Sequence, residues 1–199
     1  MPKVIENIRE TILQTAKNTL LTDGYDSLSL RGVSKQCNIA VGTIYNYFPS
    51  KLALIAAIML EDWAEQMGRM QKDCANAQNA EAGIKSIFPK LREFALLYQD
   101  VWNMSMHSKE VRDEMLNGRS RRQMLIEQLV GVIRTLLDRF KISYDSFLPH
   151  FIATSLLTYI MEPDFDYEQI NKVFKRILYG SEAYGYESGF GRSVRQTGD

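Results

Sequence analysis

The residues best suited to chemistry lie close together in the run Val41-Gly-Thr-Ile-Tyr-Asn-Tyr-Phe48. At about 100° per residue, Val41, Ile44 and Phe48 share one arc of a helix. Gly42, Thr43, Asn46 and Tyr47 then occupy the opposite arc, with Tyr45 on its flank. A solvated face would carry Lys, Glu and Gln, whereas this one carries a glycine, a hydroxyl, an amide and a phenol, none charged. Such groups suit a DNA groove. Glycine permits close backbone approach, Thr offers a methyl to thymine and a hydroxyl to phosphate, and Asn can read adenine. The competing structural reading is that Tyr45 and Tyr47 pack against a neighbouring helix.

Charge patterning favours the first reading. The chain balances 24 basic against 24 acidic residues, which argues against binding nucleic acid by bulk charge alone. Yet from Ser27 to Leu60 there are three basic residues, Arg31, Lys35 and Lys51, and no Asp or Glu. A segment free of acids is arranged to meet something negative.

The elements that must position these groups read as helices. Ile5, Ile8, Ile12, Ala16 and Leu20 recur at three- and four-residue steps, and Asp23-Gly24 stops that helix. Ser29 is placed to cap a short helix carrying Leu30, Val33 and Cys37, and Asn38 can adopt the left-handed conformation that ends it. The Val41–Phe48 stripe follows, Pro49-Ser50 closes it, and Ser50 can cap a longer helix opening at Lys51. Two short helices joined by a turn of a few residues form a helix-turn-helix candidate. Many all-helical proteins contain such corners, so the outer face of the second helix decides the reading.

The runs Ser29-Leu-Arg-Gly-Val33 and Val41-Gly-Thr-Ile-Tyr-Asn-Tyr-Phe-Pro-Ser-Lys51 closely resemble the DNA-binding domain of TetR-family transcriptional regulators, over about Ile5 to Met59. The resemblance implies that Thr43, Tyr45, Asn46 and Tyr47 lie on a recognition helix in the major groove. It places Ser29 on phosphate, Arg31 near a base edge, and Lys51 on phosphate at the start of the fourth helix, whose N-terminal amides add positive character. Three residues depart from the family pattern or strain it. Ala40 stands where a serine cap is common, Asn38 where glycine is usual, and Gly32 costs the second helix about 1 kcal/mol in propensity.

Beyond Lys51 the periodicity predicts helices near 51–73, 80–98, 101–107, 112–139, 146–161 and 166–184. Pro89 should kink or split the second of these, while Pro149 falls in a first turn capped by Ser146, where proline is tolerated. Residues 185–199, with four glycines and no apolar stripe, are expected to be disordered. The expected fold is therefore all-α: a three-helix helix-turn-helix DNA-binding domain (1–50) followed by a larger helical effector-binding and dimerisation domain (51–184).

Seven of the nine methionines lie between Met59 and Met124, and aromatic residues share that interval. Trp63, Met67, Met70, Phe94, Tyr98, Trp102, Met106 and His107 are the candidate lining of an effector cavity, since Met and aromatic side chains adapt to apolar ligands. Ordinary core packing is the plainer alternative for any one of them, and His107 and His150 fit structural roles. The family resemblance implies an effector cavity among these helices, with the helix from Lys51 as lever between cavity and DNA. Ser155, Thr158, Tyr159, Ile170, Phe174 and Ile177 lie on two helices that, paired with those of a second copy, would form a four-helix dimer interface. A twofold dimer would read an inverted repeat in double-stranded DNA.

Other classes fit poorly. The longest apolar run, Leu52 to Leu60, is too short to span a membrane, and the first ten residues lack a secretory apolar stretch. Cys37 and Cys74 form neither a CxxC pair nor a disulfide framework, so a reducing cytoplasm is the expected compartment. There is no GxSxG, HExxH, phosphate loop or GxGxxG. The expectation is a non-enzyme without metal or cofactor: a homodimeric, sequence-specific transcriptional regulator, acting as a repressor released by a small apolar or aromatic effector. The alternative is an effector-independent DNA-binding regulator controlled by a protein partner.

Overall fold

The computed structural model describes residues 7–101, 103 and 119–180, and among them there is no strand. Three expected effector residues, Trp102, Met106 and His107, lie outside the described residues, as do five of the seven residues of the helix expected at 101–107, residues 112–118 of the helix expected at 112–139, and the whole tail expected at 185–199.

The N-terminal unit is built from α1 (Ile8–Asp23), α2 (Leu30–Cys37) and α3 (Val41–Tyr47). Gly24, at φ 84°, lets the chain leave α1 in a conformation other residues resist. Ser29 caps α2 by accepting from the Gly32 amide, and Asn38 closes it in the left-handed region. Gly32 does not interrupt α2. A Cβ there would stand 2.9 Å from Ser29 Oγ, so the missing side chain leaves room for the cap bond. Ala40 provides α3 with no side-chain cap, consistent with the serine it replaces. Between α3 and the next helix the chain bends by 58°.

That next helix, α4 (Lys51–Asn76), starts from a Ser50 cap on the Ala53 amide and runs three residues beyond the expected end. It is the spine of the molecule, packing against α1, α5 (Ala80–Leu97) and α6 (Arg119–Arg139). Leu54, Ile55 and Ile58 are buried with Ile12, Leu13 and Ile44, while Met70 and Cys74 are buried with Ile84 and Ile87, so one continuous core spans both halves. Pro89 lies inside α5 without splitting it.

α7 (Leu148–Tyr159) and α8 (Tyr167–Tyr179) complete the described chain. The expected Ser146 cap is not used. Asp145 Oδ1 instead accepts from the amides of Phe147 and Leu148 at 3.0 and 2.9 Å, with Pro149 in the first turn. A carboxylate one residue earlier reaches both free amides at once. The last helix ends at Tyr179 rather than 184, closed by Gly180 at φ 75°. Two residues expected at a dimer interface turn inward: Ile170 and Phe174 are buried in their own protomer, Phe174 edge-on to Phe151 at 6.4 Å. The reason is register, because α8 lays that stripe on its own domain and leaves Val173 and Ile177 outside. No single helix among the described residues is long and apolar enough to cross a membrane.

Candidate nucleic-acid interface and effector groove

α3 is fixed by two buried anchors, Ile44 and Phe48, with Val41 half-buried between its neighbours and solvent. Tyr45 and Tyr47 are 48% and 44% exposed, so neither packs into the core against α1. Asn46 and Gly42 are exposed beside them, Thr43 is half-buried, and a Cβ at Gly42 would meet nothing within 4 Å. Arg31 and Ser29 are exposed at the start of α2. The structure thus brings six of the seven candidate DNA contacts to the exterior of α2 and α3. Ser29 already uses an oxygen lone pair for its cap, leaving its hydroxyl proton to donate.

Lys51 behaves differently. Its ammonium sits 3.7 Å above the Tyr25 ring, a cation–π contact made by folding back across the α1–α2 connection. Burial lowers its pKa, partly offset by the nearby Asp26 carboxylate. Sequence reasoning had no signal for this, because Tyr25 lies outside every helical stripe.

The effector candidates divide. Trp63 and Met67 border a groove of about 890 Å³ between α4 and α6. Met70, Phe94 and Tyr98 do not. They are buried in the core, where Trp63 meets Phe94 edge-on at 5.4 Å and Phe94 meets Tyr98 at 5.3 Å. The other wall of the groove comes from α6: Met124, Gln128, Gly131, Val132, Thr135 and Arg139. Of these the methionine concentration pointed only to the neighbourhood of Met124. The one available signal was glycine inside a helix, at Gly68 and Gly131, which costs up to about 1 kcal/mol and asks for a reason.

A polar knot lies beside the groove at the junction of the two halves. Asp62 of α4 is buried, receives the Lys17 ammonium from α1, and accepts from the Tyr98 hydroxyl at 2.5 Å. Burial raises the Tyr98 pKa, and the hydrogen bond to Asp62 raises it further. The neighbouring carboxylate, Glu61, pairs with Arg9 two turns earlier on α1, an exposed ion pair across the same two helices at 2.8 Å. Adjacent carboxylates on α4 therefore diverge onto separate partners, which is the geometry of a structural clamp rather than of a paired acid and base. Among the described residues no group of three or more His, Cys, Asp or Glu could hold a metal.

The dimer candidates are only partly accessible. Thr158, Tyr159 and Ile177 are exposed and Ser155 is half-buried, alongside Val173 and a prominent Phe147 that the sequence pattern did not single out. Phe147 precedes α7, outside the helical periodicity that guided the choice.

Comparison with known proteins bears on the N-terminal unit first. Residues 12–58 match the family described as bacterial regulatory proteins, tetR family. The chain is 33% identical over 79 residues to the HTH-type transcriptional regulator UidR of Escherichia coli (strain K12), a stretch covering 40% of each chain. It is 33% identical over 55 residues to the HTH-type transcriptional repressor KstR of Rhodococcus jostii (strain RHA1), covering 28% of this chain and 26% of that protein. The matched stretch thus spans well under two thirds of either relative. In overall fold the chain is similar to Salmonella enterica GusR, with a TM-score of 0.61 at 20% identity, covering 85% of this chain and 94% of that one.

Proposed function

From the match of residues 12–58 to the tetR family of bacterial regulatory proteins, we propose that the chain is a member of that family and a homodimeric, sequence-specific DNA-binding regulator. It acts as a non-enzymatic repressor in the cytoplasm, released from an inverted-repeat operator by a small, largely apolar effector. The observation that carries the reading is the outer face of α3. Two bulky aromatics, an amide and a glycine stand in solvent on a helix whose opposite side is locked by Ile44 and Phe48. Exposing two tyrosines has no folding benefit; it fits a surface shaped for base edges and phosphates.

The groove supports effector release over control by a protein partner alone. A lining filled by its own side chains would favour the partner, but about 890 Å³ between α4 and α6 is open. Consecutive residues of α4 supply a route between the two sites. Trp63 borders the groove, and Asp62 grips Lys17 on α1. A shift of α4 at Trp63 is felt at α1, and coupling of this kind is typically worth about 1–3 kcal/mol. The dimer is assigned to the exposed side of α7 and α8 around Thr158, Tyr159, Val173 and Ile177.

The test is fluorescence anisotropy with DNA from the region upstream of the protein's own gene, against unrelated DNA. Specific binding at least about 10³-fold tighter than to unrelated DNA is expected, with Asn46→Ala and Tyr47→Ala abolishing most of that ratio. A protein that binds no DNA at low salt is not a regulator of this kind. Trp63→Ala with unchanged DNA affinity and unchanged effector response would refute the α4 route.

A further inference from the structure

The helices flanking the groove are clasped at two points. Trp63 Nε1 donates to Gln128 Oε1 at 2.7 Å, and Arg139 Nη1 donates to the Cys74 carbonyl at 2.8 Å. The clasps are eleven residues apart on both helices, so α4 and α6 run parallel and the clasps stand about 16 Å apart at 1.5 Å rise per residue. Between them the floor is bare. A Cβ at Gly68 or at Gly131 would meet no heavy atom within 4 Å. By contrast, a Cβ at Gly83, where α5 packs on α6, would collide with Leu136 at 2.5 Å. Gly83 is required by packing, whereas Gly68 and Gly131 serve open space.

Among the described residues, charge in this space is confined to one end. Of the described side chains lining the groove, only Arg139 carries a permanent charge. The guanidinium is exposed, rests 4.6 Å from the Phe140 ring, and takes part in none of the ion pairs among the described residues. One of its five donors is used on the Cys74 carbonyl, leaving a fork that matches a carboxylate. Cys74 beside it adds no charge, because burial raises its thiol to about 11. The remaining described lining is apolar, with Leu60, Met67, Met124, Val132 and Leu136 among it, joined by neutral Gln and Thr side chains and ending at the Trp63 ring.

The geometry points to an elongated amphiphile bearing a single carboxylate as the occupant. Its head sits on Arg139, and its apolar body runs past Gly68 and Gly131 toward Trp63. This inference rests on the effector reading above and specifies the ligand class. A cation is repelled at the only charged end, and a compact polar molecule would leave most of the trough facing water.

The probe is dodecanoate below its aggregation concentration, titrated calorimetrically into the full chain, with Trp fluorescence as a second readout. Dodecanol and dodecyltrimethylammonium test the head group. Dodecanoate is expected to bind one per chain, with both analogues at least tenfold weaker, the loss of a charge-assisted bond. Arg139→Met should weaken dodecanoate at least tenfold, Arg139→Lys should fall between Arg139→Met and the unaltered chain by keeping the charge without the fork, and Gly131→Leu should block binding while helix content by circular dichroism is unchanged. Equal binding of dodecanol, or an unaffected Arg139→Met, overturns the head assignment. Absence of dodecanoate binding overturns the ligand class, and a Gly131→Leu protein that loses dimer rather than ligand reassigns the groove to a second copy. Anisotropy with operator DNA run in parallel separates the two readings. Dodecanoate bound without release of DNA leaves the ligand class standing and refutes the effector mechanism. Specific DNA binding without dodecanoate binding does the reverse.

Discussion

Two ion pairs join α1 to α4, and they should differ severalfold in what they contribute. Arg9–Glu61 is about half exposed on both sides, whereas the side chains of Lys17 and Asp62 are 26% and 11% exposed. Exposed pairs measure about 0–1 kcal/mol because water and salt screen them. Asp62 is largely desolvated, so Lys17→Met leaves a buried carboxylate held by the Tyr98 hydroxyl alone. Losing a charge-assisted bond at a part-buried site costs about 1.5–3 kcal/mol, below the roughly 3–5 for a fully buried pair. For a chain of 199 residues, each kcal/mol shifts Tm by about 2–4 °C, so Lys17→Met should lower Tm by about 3–12 °C. Arg9→Met should lower it by about 0–4 °C. The sharper test is the triple variant Lys17→Met, Asp62→Leu, Tyr98→Phe, read by urea denaturation at 222 nm. Replacing a whole buried network by apolar groups is close to neutral, so the triple variant should recover most of what Lys17→Met loses. Equal losses for Lys17→Met and Arg9→Met, or a triple variant no more stable than Lys17→Met, would refute the assignment of Asp62 as the clamp.

Gly83→Ala must displace Leu136 within a full core and should destabilise by about 1–3 kcal/mol, whereas Gly68→Ala, facing open space, should stabilise by up to about 1 kcal/mol; denaturant midpoints of the two variants check the contrast. Burial opposes ionisation of Glu81, but hydrogen bonds from Lys175 and Asn171 outweigh it and hold the carboxyl below its ordinary 4.5. The sign follows. Its stabilising contribution is present above pH 4.5 and lost as pH falls through the lower folded value, so the Tm deficit of Glu81→Gln at pH 7 should vanish in strong acid. Cys74, raised to about 11 by burial, should resist iodoacetamide at pH 8 in the folded chain and react once urea unfolds it. Val173→Glu with Ile177→Glu should convert the proposed dimer to monomer in light scattering, with helix content unchanged.

How much was legible in the sequence follows from how local each signal is. The helix-turn-helix was legible nearly residue by residue, because Ser29, Asn38 and Ser50 each settle a helix end through a bond made within a few residues. The outer face of α3 was legible for the same reason, since Ile44 and Phe48 fix its rotation. Where two local signals compete, the reading failed: Ser146 and Asp145 can both cap α7, and the carboxylate, reaching two amides, prevails. The groove was only half legible. Trp63 and Met67 followed from composition, but periodicity cannot say which helix faces α4, so the α6 wall and the choice of Met70, Phe94 and Tyr98 depended on tertiary packing. Those three fill the core because α5 packs against α4 and carries Phe94 and Tyr98 into the interior between them.

Asp62 and Trp63 show why function can sit in a place that neither composition nor motif marks. Neighbours on a helix point about 100° apart, so a single turn of α4 faces two partners. Trp63 reaches Gln128 at 2.7 Å on the groove side, and Asp62 reaches Lys17 of α1 and Tyr98 at the end of α5. A ligand entering between the clasps must displace or tighten the Trp63–Gln128 bond, because that bond closes one end of the space it enters. The backbone carrying Trp63 also carries Asp62, and a buried carboxylate cannot shift by much without leaving its ammonium or its phenol unpaired. Under the proposed effector mechanism, small motion at the groove is thereby converted into a choice of partner at the N-terminal unit. Bistable coupling requires such a step, and the close-packed core of Leu and Ile around it supports the step by holding discrete arrangements instead of deforming continuously.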